Sequence, residues 1–387
     1  MTDAPIDLLL QAGRVVCPAT GRDAAGAVAV RGDRIVELDD TSGSSPQRTP
    51  TFPDGILLPG LIDLHAHPAK SGSKYGVDPD IEFLPRGVTT VMSQGDTGSA
   101  NWNVYREETI RGSRIRVRLA LSLSSAGESM AGGCFEDPDW VDVDACVSTI
   151  EQAGDDIWGI AVNVSRIGCG TTDPQWVLQS ALEAAERTGK PLLFGMRVPT
   201  DWPLAEQLAL LRSGDVLTYS FRGEDWSLVD ESGHIRPEVR AARERGVLFD
   251  VGHGMASFEF PAAENAIADG FAPDTISSDF HVKHLGSSPP HDLPRVMSKL
   301  LAAGMTEHDV FSAVTFRPAA ILGLSEEIGS LNVGSCADLT VLIPIPDETE
   351  LADAVGNRRE GKCWQAACVV RAGEIVFLDD RFTNETW

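Results

Sequence analysis

His65 and His67 close the apolar run "LIDLHAHPAK" (61–70) with one alanine between them. A strand sends alternate side chains to one face, so both imidazoles would point the same way. Two imidazoles converging from one strand end are half of a metal site. A second group of candidates is cationic: Arg166 in "NVSRIG", Arg197 in "LFGMR" and Arg222 after "TYSF" each follow a separate β-like run. Guanidinium groups at successive strand ends suggest an anion pocket, because arginine grips a carboxylate bidentately. His253, in "DVGHG", ends another such run and would complete a metal shell, contact substrate or hydrogen-bond a ligand. Cys169, in the glycine-flanked "GCG", is the one thiol in a distinctive setting. Of the tryptophans, Trp102 and Trp202 are the best candidates for a place near substrate.

These residues need a scaffold that brings strand ends together. Between residues 60 and 324, eight β-like runs begin at 60, 89, 116, 157, 191, 216, 247 and 275, with amphipathic segments between them. In "DPQWVLQSALEAAERTG" (173–189), Asp173 can cap a helix, Pro174 suits its first position and Gly189 can end it. Thr306 with Asp309 resembles a capping box. Eight strands alternating with helices predict an α/β fold, a (β/α)8 barrel with chemistry at the strand C-termini. An open doubly wound sheet lacks support, since no GxGxxG follows the first strand. The chain ends differ. "DLLLQAGRVVCP" and "GAVAVRGDRIVEL" at one, "ADLTVLIP" and "CVVRAGEIVFL" at the other, are β-branched runs with glycine turns. They predict a composite β-sandwich from 1–58 plus 327–387 beside a barrel of 59–326.

The bulk numbers exclude other classes. A net charge of −25 repels phosphate backbones and anionic lipid heads, so nucleic-acid and membrane partners are not expected. No apolar stretch reaches the roughly 18 residues of a spanning helix. Asp3 and Asp7 stand where a signal peptide carries positive charge, which predicts a cytoplasmic protein. Seven cysteines at irregular spacings, with no CxxC, read as reduced thiols.

"LLPGLIDLHAH", "GVTTV", "DVGHG", "SSD" and the closing "GSLNVGSCADLTVL" together resemble the amidohydrolase superfamily, over essentially the whole chain. The nearest subgroup is the amidohydrolase/deacetylase branch related to dihydroorotases. That branch usually holds two metals. The resemblance assigns the first to His65, His67 and Asp279. It expects a bridging lysine where Ala161 stands, and second-metal histidines where Gly195 or a neighbour and Tyr219 stand. It therefore implies one divalent ion, zinc or else manganese or iron, held by His65, His67 and Asp279. Asp279 would also act as the base, with His253 as a further catalytic candidate. Ser165 and Arg166, "SR" as in the related deacetylases, would bind substrate with Arg197 and Tyr219. The implied activity is metal-dependent hydrolysis of an amide or ester bond in a small, anionic carboxylate-bearing or cyclic amide substrate. The alternatives are a metal-dependent lyase or decarboxylase, and a non-catalytic ligand-binding relative. Family members often assemble as homo-oligomers.

Overall fold

The computed structural model describes residues 5–39, 46–346 and 350–382. The chain opens with β1 (Leu8–Cys17), β2 (Arg22–Arg31), β3 (Arg34–Leu38) and β4 (Thr51–Pro59). Seven parallel strands follow: β5 (Leu61–Ala66), β6 (Val88–Gln94), β7 (Arg116–Ser122), β8 (Ile157–Asn163), β9 (Leu192–Gly195), β10 (Val216–Leu217) and β11 (Leu248–Phe249). They pair in sequence order from β5 to β11. Every residue of β5 and β6 is buried, the signature of parallel strands covered on both faces.

Segment 275–280 closes the barrel without forming a regular strand. On one side His253 N donates to Ser277 O (3.2 Å) and Gly254 N to Ser278 O (3.0 Å). On the other, Asp279 N donates to His65 O (2.7 Å) and His67 N to Phe280 O (3.0 Å). The eighth expected strand is therefore present as a seam between the first and the seventh. Asp63, buried in β5, pins it by accepting from the Ser278 amide at 3.0 Å and from the Ser278 hydroxyl. Burial pushes the Asp63 carboxyl up to about 7, against those hydrogen bonds.

The helix Pro174–Thr188 begins and ends where its caps predict: Asp173 accepts from Gln175 N at 2.9 Å, and Gly189 takes φ 67°. Its buried Val177, Leu178, Ala181, Ala184 and Ala185 form one stripe against the barrel. Thr306 likewise caps Glu307–Ala313, accepting from Asp309 N at 3.1 Å.

The two chain ends share a sheet. After the barrel come β12 (Leu339–Pro344), a short ribbon of β13 (Glu350–Ala352) with β14 (Arg358–Glu360), then β15 (Trp364–Arg371) and β16 (Glu374–Leu378). The sheet order is β16-β15-β12-β4-β1-β2-β3, so β4 meets β12 antiparallel, Leu57 opposite Val341. Bulges in β1 and β12 bend it around its own core of Leu10, Val15, Val28, Leu57, Val341 and Cys368. Each such fully buried aliphatic side chain contributes about 1.5–3 kcal/mol. Gly60 alone separates β4 from β5; a Cβ there would lie 2.1 Å from Thr89 Oγ1, so the sheet hands the chain to the barrel where the Thr89 side chain packs against the backbone. All seven cysteines are buried and none is in a disulfide. Among the described residues, no helix is long and apolar enough to cross a membrane.

Candidate metal centre

β5 brings His65 and His67 to one side of the barrel mouth, as strand alternation requires. Their Nδ1 atoms are taken. His65 Nδ1 lies 2.8 Å from Thr218 Oγ1, whose hydroxyl donates to Asp250 Oδ2 at 2.8 Å. His67 Nδ1 lies 2.9 Å from Asp96 Oδ1. Asp96 is itself held by the hydroxyls of Ser73 and Ser93, each at 2.6 Å. Both Nε2 atoms are thereby turned to a common point, where Asp279 Oδ1 sits 3.5 Å from that of His65 and 3.3 Å from that of His67. One donor atom from each of the three residues lies within 4.8 Å of the others.

Asp279 Oδ1 is buried and accepts no hydrogen bond. Such an atom is costly unless positive charge satisfies it. Burial opposes protonation of His65, but Asp279 and Asp250 outweigh it and raise the imidazole to about 9. Burial opposes charge on His67 as well, and Asp96 with Asp279 lift it to about 10. The same attraction overcomes burial at Asp279 and holds its carboxyl well below the usual carboxylate range. The centre is built to hold positive charge. Two imidazole nitrogens and one carboxylate oxygen, with outer partners fixing the rings, are the donor set of a divalent ion with open positions.

The backbone is strained here. Asp279 (φ 50°) and Tyr219 (φ 66°) occupy the left-handed region without being glycine, at about 1–3 kcal/mol each. Gly254 (φ 51°) makes room for the carboxylate, since a Cβ there would fall 2.4 Å from Asp279 Oδ2.

Thr218 is the link that sequence reasoning missed, because nothing nearby in the chain marks it. Thr218→Val keeps the shape but disconnects His65 from Asp250. Metal affinity should fall about 10–100-fold, measured by competition with a chelator, with the fold retained by circular dichroism. Unchanged affinity would show that packing alone orients His65.

The second-metal positions hold no comparable set. Ala161 is buried and Gly195 has no side chain; a Cβ at Gly195 would meet Asn163 Cγ at 2.8 Å, so Asn163 fills that space. Tyr219 does join the centre, its hydroxyl 3.4 Å from His65 Nε2.

Other expected residues are placed differently. His253 does not line the cavity: Nδ1 meets Gly254 O at 2.8 Å, Nε2 meets Lys299 Nζ at 2.9 Å, and the ring stacks on Phe258. This corrects the expectation that it faces the mouth, since both nitrogens are committed elsewhere. Ser165 caps the turn Arg166–Cys169, accepting from Gly168 N at 3.2 Å. Arg166 and Arg197 share one carboxylate, Asp201, with Arg166 Nε at 2.8 Å and Arg197 Nε at 2.7 Å. Ser165 and Arg166 line the cavity, but Arg197 does not. Both guanidinium groups of the expected clamp thus engage Asp201, one carboxylate between two cations. Cys169 is buried, and burial pushes its thiol up to about 12, which leaves it unreactive. Trp102 and Trp202 are packing residues, whereas Trp226 lines the cavity.

That cavity, of about 270 Å³, carries His67, Asp279, Tyr219, Asn163 and Arg222 on its wall. It admits a small molecule to the strand ends where the three donors meet.

Residues 223–373 match the amidohydrolase family. Over 307 residues the chain is 34% identical to a deacetylase of Agrobacterium fabrum, spanning 78% of this chain and 74% of the relative. A solved adenine deaminase superposes with a TM-score of 0.86 at 27% identity, covering 96% of this chain and 99% of that one. A solved dihydroorotase gives 0.82, also at 27%, covering 95% and 98%. The expected barrel with its terminal strands is therefore a fold these proteins share. With the paired histidines and the late aspartate in place on it, the chain belongs to the amidohydrolase family and is a hydrolase.

Proposed function

We propose that this hydrolase works with a single divalent ion and cleaves an amide or ester bond of a small carboxylate-bearing molecule, with cyclic amides as the neighbouring class. The observation that carries this reading is the convergence of two Nε2 atoms on the orphaned Oδ1 of Asp279. Among the described residues, no second group of three such donors exists. A bound zinc, manganese or iron ion supplies a Lewis acid that lowers the pKa of water and polarises a carbonyl. The remaining steps belong to the chain. Asp279 takes a proton from the attacking water as its oxygen bonds to the carbonyl carbon. It returns that proton to the leaving nitrogen or oxygen as the old bond breaks. The Tyr219 hydroxyl, beside His65, donates to the carbonyl oxygen as negative charge develops there.

A screen of N-acyl and O-acyl amino and hydroxy acids, together with cyclic amides, tests this when run in 18O-labelled water. The expected products are an acid carrying one solvent oxygen and a free amine or alcohol. Carbon dioxide or an alkene as product would replace hydrolysis with decarboxylation or elimination. A metal-loaded chain that turns over nothing in the screen would favour a ligand-binding relative.

A further inference from the structure

The Arg222 guanidinium and the Asn163 Nδ2 stand on the cavity wall with no hydrogen-bond or ion-pair partner among the described residues. Arg222 follows β10, and its guanidinium lies 4.1 Å from the Trp226 ring centre and 5.9 Å from that of Tyr219. Among the described residues it forms no ion pair and donates no hydrogen bond. Such a vacancy stands out in a chain with 57 acidic residues against 32 basic ones. Of the other cations on the wall, Arg166 pairs with Asp201 and Lys74 with Glu128 at 2.7 Å, while Lys283 forms no ion pair among the described residues and lies 5.2 Å from the Tyr75 ring centre. Burial works against the Arg222 charge, which a ligand anion would offset. The two aromatic rings hold the fork in place before any ligand arrives.

Asn163 ends β8. Its Oδ1 accepts from Ser165 N at 3.1 Å, which fixes the amide so that Nδ2 is left as a donor. Gly195 leaves the space that holds this side chain. Nδ2 has no partner among the described residues, and Asn163 shares the cavity wall with Arg222. Both groups only donate, so they suit a ligand group that only accepts.

We propose that Arg222 and Asn163 form the carboxylate-binding subsite of this cavity, with Arg222 as the specificity-determining residue. This rests on the reading above that the substrate bears a carboxylate. A chain of net charge −25 offers a small anion no help from its overall field, so the hold must be local. The guanidinium takes the carboxylate through its fork, and the Asn163 amide sets its orientation from the end of β8, two strands along the sheet from β10.

Trp226 makes the test direct, because a ligand at Arg222 alters the surroundings of the indole. The metal-loaded chain is titrated with propionate, lactate and N-acetylalanine, and with their carboxamides, while tryptophan fluorescence is followed. A Trp226→Phe chain identifies the signal. At least one carboxylate should saturate, with its amide at least about tenfold weaker. Arg222→Met should bind acid and amide alike with metal content unchanged, and Asn163→Leu should weaken the acid several-fold. Arg222→Lys keeps the charge without the fork and should fall between; it decides the matter if the methionine variant misfolds. The subsite is overturned if no carboxylate saturates, if acids and amides bind alike in the parent, or if Arg222→Met still prefers acids. Discrimination through Arg222 without any hydrolysis would instead remove the catalytic reading and leave the subsite standing. Hydrolysis without discrimination would do the reverse.

Discussion

His65→Ala is expected to lose metal and turnover together. The parent, purified without chelator, should carry about one equivalent of divalent metal per chain, and the variant less than about a tenth of that. The reason is geometric. His65 supplies one of three converging donors, and its ring is aimed by Thr218 and Asp250 from beneath. Loss of an outer partner alone commonly costs 10–100-fold in affinity, so loss of the donor itself should cost more. Elemental analysis beside circular dichroism separates this from unfolding. Two equivalents in the parent would show that Tyr219 or a neighbour builds a second site. A parent that neither binds nor needs metal would end the proposed chemistry.

Asp279→Asn should lower kcat by about 10²–10⁴-fold while KM stays within about threefold. The asparagine retains an oxygen toward His65 and His67 but cannot take a proton, and it leaves the wall of Arg222 and Asn163 untouched. Steady-state kinetics at matched metal content measure the split. If kcat stays within about threefold of the parent, the proton passes elsewhere. His253 is poorly placed to be that route, because Gly254 O and Lys299 Nζ engage its two nitrogens. Tyr219 becomes the next residue to replace.

What the sequence alone could determine was local. The paired histidines share a face because side chains alternate along a strand. The helix Pro174–Thr188 starts at Asp173 and stops at Gly189 because cap preferences act over a few residues. Eight strand-like runs separated by capped helices already imply strand ends gathered at one mouth. With the resemblance of its motifs, that led to His65, His67 and Asp279 as one group, and they do meet.

Tertiary structure decided which partner each polar side chain takes. Arg166 and Arg197 looked like a substrate clamp from their strand-end positions. Arg166 instead finds Asp201, 35 positions further along the chain. His253 is claimed by Lys299, 46 positions away, and His65 by Thr218, 153 away. Arg222 shares the same kind of strand-end position yet was left without a carboxylate, which no spacing distinguishes from the other two. A charged or imidazole side chain bonds to whatever complementary group the packed fold brings within about 3 Å. Chain periodicity specifies a face and a direction. It does not specify the group that a distant element delivers to that face.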